Sequence, residues 1–163
     1  MPGSSSATIE PDRSTVVEAV LGASRVLVAV AARSLADVAE EVTLPQYRAL
    51  VVLGSRGPQR VASLAEALAV TPPTATRMCD RLVRKGLVTR RPSDEDRREV
   101  HLSISRAGRD LVTRVTARRR KEIASLLAGI PAEDQAAMVT IFGKLGQAAG
   151  EVPDQDWAAG WEL

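Results

Sequence analysis

The sequence predicts a mainly α-helical fold that carries one small β-hairpin, and three patterns support this prediction. Apolar residues recur at spacings of three and four over long stretches near both ends of the 163-residue chain, as in amphipathic helices. Two shorter helical patterns meet across a tight turn near the middle, and two strand-like segments follow them. The length favours one domain over residues 14–149, between a disordered lead-in over 1–13 and a C-terminal tail over 150–163.

The first predicted helix covers about residues 15–42. Its apolar positions alternate spacings of four and three, as in a helix packed lengthwise against another helix: Val17, Leu21, Ser24, Val28, Ala31, Leu35, Val38 and Val42. So long a helix would extend beyond the core of so small a domain unless a second chain covered it. The pattern therefore favours a homodimer.

Two shorter helices are predicted next. Pro45 is placed at the first position of the second helix, because its missing N–H would have no partner there, and the residues 54–58, rich in Gly and Pro, end that helix. Ser63 and Glu66 have the spacing of a capping box, which predicts a third helix from there to about Ala69.

The fourth predicted helix starts at Thr71, a hydroxyl cap followed by two prolines, and ends at Gly86. One side of it is an apolar stripe at helical spacing: Ala75, Met78, Cys79, Leu82 and Val83. Residues 87–91 and 100–104 have the composition of strands, with a charged tip between them. Two helices across a turn and then a hairpin indicate a winged helix-turn-helix over about residues 44–104.

Two further helices are predicted over about residues 105–149, which makes six in all. Ser105 and Gly108 open the fifth, and Pro131 takes the first helical position of the sixth. Their apolar positions are Leu111, Val112, Val115, Ile123, Leu126 and Leu127 on the fifth and Met138, Ile141, Phe142, Leu145 and Ala149 on the sixth. Phe142, like Tyr47 on the second helix, is expected to be a core aromatic rather than a ligand contact.

Charge is distributed unevenly along the chain. Residues 56–121 hold 17 Lys and Arg against 7 Asp and Glu, a net of +10, while the remainder holds 5 against 13, a net of −8. A basic middle flanked by acidic ends concentrates positive potential where a polyanion such as nucleic acid can bind. The alternative is a charged surface that only contacts solvent.

The side of the fourth helix opposite its apolar stripe carries the candidate DNA-binding residues. Thr74, Arg77, Arg81 and Arg84 line up at spacings of three and four, with Thr76 and Asp80 beside them. In the major groove, Arg can bind guanine with two hydrogen bonds, and Thr can contact a base through its hydroxyl or methyl group. This helix is therefore the predicted recognition helix.

The hairpin tip, residues 93–99, is the candidate wing. Arg97 and Arg98 would reach phosphates or the adjacent minor groove. The carboxylate of Asp96 is expected to hold Arg98 in an extended position rather than to touch DNA.

Other classes of function find little support in the composition. The sequence offers no paired nucleophile and base, and no glycine-rich phosphate loop, so no catalytic residue or cofactor is predicted. One Cys and one His, Cys79 and His101, are too few for a disulfide or an ordinary zinc site, and Cys79 is expected to be a small core residue rather than a redox switch. The uncharged stretch between Arg25 and Arg33 is too short for a bilayer, so the chain is expected to be soluble, cytoplasmic and without a membrane partner.

Four motifs in order resemble the MarR (multiple antibiotic resistance regulator) family over about Val16 to Ala149. They are Leu-Pro-Gln-Tyr at 44–47, the run from Thr71 to Arg91, Asp-Glu-Asp-Arg-Arg at 94–98, and Leu-Ser-Ile-Ser-Arg-Ala-Gly at 102–108. The resemblance implies a homodimer formed through the first, fifth and sixth helices, bound to a near-palindromic operator and usually acting as a repressor. It matches Thr74, Thr76 and Arg77 to recognition-helix contacts and Arg98 to the wing arginine positioned by Asp96. Ser105 stands where the family often has Thr, and Trp157 and Trp161 in the tail have no family counterpart.

Three functions follow as hypotheses. The first is a transcription regulator whose affinity for double-stranded DNA a small-molecule effector lowers; the effector and its contacts are not predicted. The second is an enzyme, and the third is a winged-helix module that binds another protein. A steep decrease of binding with salt would distinguish the first from the third.

Overall fold

The computed structural model describes residues 12–92 and 100–152, which form six α-helices and a two-stranded antiparallel sheet. The helices are α1 (Arg13–Ser34), α2 (Leu44–Arg56), α3 (Val61–Ala67), α4 (Pro72–Arg84), α5 (Arg106–Leu127) and α6 (Ala132–Ala148). Strands β1 (Val88–Pro92) and β2 (Val100–Ile104) pair from Val88 with Ile104 to Pro92 with Val100. The predicted fold class, mainly helical with a small hairpin, is confirmed.

The first helix is shorter than predicted. α1 ends at Ser34, where the Leu35 N–H donates to the Ala32 carbonyl over 3.2 Å, and a single 3-10 turn over Ala36–Val38 follows. The turn redirects the chain so that Leu35, Val38 and Val42 enter the core. Burial of these three side chains favours the break over a straight helix that would carry them into solvent.

Two helix starts in the first half of the domain differ from the prediction. α2 begins with a capping box that the sequence reasoning missed: the Thr43 N–H donates to Gln46 Oε1 over 3.0 Å, and the Gln46 N–H donates to Thr43 Oγ1 over 3.4 Å. The capping box predicted at Ser63 is wrong, because α3 already begins at Val61. The two backbone hydrogen bonds between Gln59 and Leu102, 2.8 and 3.0 Å long, fix the chain just before α3 and favour the earlier start.

Two other helix starts differ only in detail. Thr71 is the N-cap of α4 as predicted, but its hydroxyl contacts the Thr74 hydroxyl over 3.0 Å and forms no side-chain bond to the helix backbone. Pro131 is the N-cap of α6 and Ala132 its first residue, so the predicted helix starts one residue early. Pro45 is also one position off, because α2 begins at Leu44 and Pro45 is its second residue.

The core joins α2, α3, α4 and the base of the hairpin to the first half of α5. Its largest fully buried side chains include Leu50, Leu53, Leu64, Leu82, Leu102 and Leu111. Burial of one Leu stabilises a fold by about 1.5 to 3 kcal/mol, so this cluster holds the recognition helix against the rest of the domain.

Gly108 marks the closest approach between α5 and the hairpin. A Cβ atom there would lie 2.3 Å from the Leu87 carbonyl oxygen and 2.8 Å from Ile104 Cγ1. Ser105 caps the helix by accepting from the Gly108 N–H over 3.0 Å, and its hydroxyl donates to the Gly86 carbonyl over 2.6 Å. The start of α5 is therefore fixed against the base of the hairpin.

Both ends of the chain extend beyond the described residues. Asp12 Oδ1 accepts from the Thr15 N–H over 2.7 Å and caps α1, so the helix begins inside the predicted lead-in over 1–13. Residues 1–11, and the tail from Pro153 with Trp157 and Trp161, lie outside the described part.

α1 is also long and apolar enough, by length and composition, to cross a membrane, and it is the one such helix in the described ranges. The uncharged stretch between Arg25 and Arg33 is only part of this helix, since its apolar composition continues on both sides of Arg25.

Candidate nucleic-acid interface

α4 has one buried side and one exposed side. Ala75, Cys79 and Leu82 are buried, whereas Thr76, Arg77, Arg81 and Arg84 are exposed and Thr74 is half-buried. The structure thus brings the four predicted recognition-helix residues together on one accessible surface. We call Thr74, Thr76, Arg77, Arg81 and Arg84 the α4 face.

Hydrogen bonds within α4 orient both threonines. The Thr76 hydroxyl donates to the Pro72 carbonyl over 2.9 Å, so its proton is already used and an oxygen lone pair and the methyl group remain available. Thr74 Oγ1 accepts from Arg77 Nη2 over 3.4 Å, which places the Arg77 guanidinium beside the first turn of the helix. The N-terminal half of α4 therefore presents a methyl group, acceptor oxygens and a cation side by side.

A short ion pair joins α4 to the hairpin. Arg90 Nη2 on β1 lies 2.5 Å from Asp80 Oδ1, and both side chains are about two-fifths exposed. Asp80 is on the recognition helix, so this pair sets where the first strand leaves it. Asp80 was placed beside the predicted contact residues from the sequence, but its pairing with Arg90 was not predicted.

Acidic side chains elsewhere in the domain neutralise other arginines rather than those of the α4 face. The pairs join Arg33 to Glu122, Arg48 to Glu151, Arg114 to Glu41 and Arg118 to Asp37. Within residues 12–92 and 100–152, Arg81 and Arg84 form no ion pair. The positive charge of the α4 face is thus available to a polyanion.

The C-terminal end of α4 is fastened to the segment between α1 and α2. Lys85 Nζ donates to the Glu41 backbone carbonyl, and to that of Glu40 over 3.3 Å. A cation at this end also suits the negative end of the helix dipole. This contact holds the C-terminal end of α4 against the segment that connects α1 to α2.

Cys79 lies in the core and His101 on the second strand. Cys79 is fully buried, as expected for a core residue, and the burial raises the pKa of its thiol. His101 lies half-buried on β2. Among the described residues, no group of three or more His, Cys, Asp or Glu side chains is placed to hold a metal ion.

The predicted wing residues Asp96, Arg97 and Arg98 lie outside the described part of the chain, which omits residues 93–99. The base of the hairpin is described: Pro92 pairs with Val100, and Arg90 and Arg91 on β1 are exposed. The first strand thus adds two arginines on the way from α4 to the tip.

A cavity of about 250 Å³ lies between α1, α2 and α5, and the sequence reasoning did not predict its lining. Its lining residues are Ala31, Leu44, Tyr47, Arg48, Val51, Thr116, Arg119, Arg120, Ile123 and Glu151. Tyr47 is buried as expected, and its hydroxyl lies 3.1 Å from Thr116 Oγ1. Phe142, expected in the core, is 43% exposed, because α6 buries none of its residues within this chain.

Comparisons with known proteins agree with this geometry. The MarR family profile matches residues 42–100. The repressor MdtR of Bacillus subtilis is 34% identical over 108 residues, which cover 66% of this chain and 70% of that protein. The crystal structure of RV1404 from Mycobacterium tuberculosis is 39% identical with a TM-score of 0.79, covering 88% of this chain and 98% of the other. A MarR family protein from Bacillus stearothermophilus, 22% identical, shares the fold with a TM-score of 0.73, over 87% of this chain and all of the other.

The helix-turn-helix, the hairpin and the basic α4 face define a DNA-binding transcription regulator with a winged-helix fold. The chain belongs to the MarR family. Members of this family are transcription regulators and not enzymes, so the enzyme hypothesis is wrong.

Proposed function

We propose that this protein is a homodimeric repressor that binds a near-palindromic operator in double-stranded DNA and releases it when a small-molecule effector binds. The α4 face carries this proposal, because its arginines are exposed and the nearby carboxylates pair with other residues. Its target is chromosomal DNA, so its place of action is the cytoplasm.

In this proposal, the α4 face reads bases and the hairpin contacts the backbone. Arg77 and Arg81 bind guanine in the major groove, and Thr74 and Thr76 contact neighbouring bases. Arg97 and Arg98 contact phosphates or the minor groove, with Asp96 positioning Arg98. The ion pair between Asp80 and Arg90 supports this arrangement, because it ties the strand that leads to the wing to the recognition helix.

Exposed apolar side chains support the homodimer. Among the described residues, 12 of the 14 exposed large apolar side chains lie on three helices: Val16, Val17, Val20, Leu21, Val26, Leu27 and Val28 on α1, Leu126 on α5, and Val139, Ile141, Phe142 and Leu145 on α6. A patch of this extent on the surface of one chain marks an interface. A second copy would cover it, because the same three helices form the predicted seam.

Two relatives support repression through DNA. MdtR is named a transcriptional repressor. FabT of Streptococcus pneumoniae, which is 23% identical with a TM-score of 0.67 and shares the fold, was solved in complex with DNA. A dimer with two such α4 faces would contact two half-sites about one helical turn apart.

The cavity between α1, α2 and α5 is the proposed effector site. It lies between a proposed dimerisation helix and the DNA-binding part of the domain, so a ligand there can bias the spacing of the two recognition helices. BpsR of Bordetella bronchiseptica, a structural neighbour with 22% identity and a TM-score of 0.62, is described as regulated in its DNA binding by 6-hydroxynicotinic acid.

Fluorescence anisotropy with labelled duplex from the upstream region of its own gene tests the proposal. We expect saturable binding of two protomers per site that withstands random competitor duplex, with an affinity that decreases steeply with salt as phosphate counterions are released. Reporter expression from that promoter should increase when the gene is deleted. Equal affinity for operator and random duplex, together with a flat salt dependence, would contradict the proposal.

A further inference from the structure

The segment after α6 turns back onto α2 and is held there by two arginines. Gly150 adopts a φ of 66°, and the Glu151 N–H donates to the Gly146 carbonyl over 3.0 Å. Arg56 Nη2 donates to the Gly150 carbonyl over 3.1 Å. The Glu151 carboxylate accepts from Arg48 Nη1 and Nη2 over 2.7 and 2.6 Å, a bidentate pair.

This pair lies at the cavity between α1, α2 and α5. Arg48 and Arg119 are two of the lining residues, and Glu151 is the one acid among the lining residues that the structure describes. The other walls are largely apolar and include the ring of Tyr47, over which the Arg119 guanidinium lies at 5.2 Å. The cavity therefore combines apolar walls with arginine side chains that can hold an anion.

Arg119 adds a donor that needs an acceptor. Its Nε atom is buried and has no hydrogen-bond partner in the described part of the chain. A buried donor left unpaired destabilises a structure, and a bound acceptor would remove that cost. A carboxylate supplies both the acceptor oxygens and the negative charge that these arginines favour.

We infer that Glu151 is a built-in competitor of the effector, whose carboxylate holds Arg48 until a small organic carboxylate with an apolar body enters the cavity and replaces it. This inference rests on the proposed function, because it takes the cavity to be the effector site. Arg48 lowers the pKa of the Glu151 carboxyl, so Glu151 carries a charge at neutral pH like the ligand with which it competes.

Replacement of Glu151 would disconnect two parts of the domain. Arg48 belongs to α2 and Glu151 follows α6, and the bidentate pair joins them across 103 residues of sequence. Since α6 is a proposed dimerisation helix and α2 packs into the core of the DNA-binding part, loss of the pair changes how the two are held together. The ligand would thereby couple to operator binding.

Isothermal titration calorimetry on the full chain tests this inference, with benzoate as the probe and benzamide as its neutral analogue. We compare the wild type with Glu151→Gln, which removes the competing charge, and with Glu133→Gln as a matched control at the other end of α6. We expect the wild type and the control to bind benzoate equally and more tightly than benzamide. Glu151→Gln should bind benzoate about fivefold more tightly, the most that a partly exposed ion pair is expected to contribute.

Three results would overturn the inference. They are equal benzoate affinity in Glu151→Gln and the wild type, equal affinity for benzoate and benzamide, and no benzoate binding by any of the three proteins. Anisotropy with the operator duplex, run without benzoate on the same samples, tests the proposed function separately. Loss of operator binding in all three proteins would contradict the proposed function. The comparison of benzoate affinities would still test whether Glu151 competes with the ligand.

Discussion

Asp80 on the recognition helix and Arg90 on β1 form an ion pair of 2.5 Å that fixes the direction in which the hairpin leaves α4. We expect Asp80→Asn to decrease operator affinity about two- to fivefold, because an exposed pair contributes about 0.2 to 1 kcal/mol and here holds β1 against α4. Anisotropy measures this change. Arg90→Gln and the double variant complete a cycle, and fully additive effects of the two substitutions would show that the pair has no role in DNA binding.

Arg77 is the residue of the α4 face that we expect to determine base specificity. Arg77→Ala should weaken the free energy of operator binding by about 1 to 3 kcal/mol. It should also narrow the difference between the affinities for operator and random duplex. Competition binding at fixed salt measures both quantities. Arg98→Ala should weaken binding to both duplexes alike, and Arg13→Ala at the start of α1 is the control. If Arg77→Ala matched the control, α4 would not be the reading helix.

Gly108 is required where α5 meets the hairpin. Gly108→Ala places a methyl group against the Leu87 carbonyl and the Ile104 side chain, and we expect it to decrease the free energy of unfolding by about 1 to 3 kcal/mol. Urea denaturation at one fixed protomer concentration measures the change. Gly129→Ala is the matched control, since a Cβ there meets nothing within 4 Å. Equal stability of the two variants would mean that the chain relaxes around the added methyl group.

The Glu151 carboxylate should contribute to stability in a pH-dependent way. Its pKa in the folded protein lies below the ordinary value of 4.5, because Arg48 donates to it. The contribution is therefore fully present above pH 4.5 and is lost as the pH decreases through the folded pKa. We expect the difference in unfolding free energy between the wild type and Glu151→Gln to be constant near pH 7 and to decrease below pH 4.5. A difference that grew on acidification would have the wrong sign for this pair.

Val28 lies in the exposed apolar patch of α1, where it is 60% exposed in the single chain. A carboxylate at a protein interface is costly to desolvate, so Val28→Glu should shift the protein toward a monomer and weaken operator binding. Sedimentation velocity measures the oligomeric state. Thr113→Glu, exposed on α5 and outside this patch, should remain a dimer. A dimeric Val28→Glu protein would place the interface elsewhere.

Sequence periodicity predicted the helices and the hairpin well but misplaced the end of the first helix. The reason lies in Leu35, Val38 and Val42, which continue the spacing of three and four although α1 has already ended. Their spacing reflects burial, and a 3-10 turn keeps residues three apart on one side much as a helix does. An apolar pattern alone therefore does not show where a helix stops.

The α4 face was predictable because all its members belong to one helix and its geometry is local. The contacts that position the α4 face were not predictable from the sequence. The bonds from Lys85 to the Glu40 and Glu41 carbonyls span about 45 residues, and the Arg48 pair with Glu151 spans 103. Such partners depend on how helices pack in three dimensions, and the Arg-rich composition offers many alternative pairings.

The contact from Lys85 at the end of α4 constrains fewer residue identities than the ion pairs do. Lys85 binds main-chain carbonyls, which every amino acid possesses, so residues 40 and 41 can drift in identity without loosening the recognition helix. Only a substitution of Lys85 itself would remove a group that makes this contact. A lineage of such regulators could therefore vary the junction after α1 while the orientation of its DNA-reading helix is inherited unchanged.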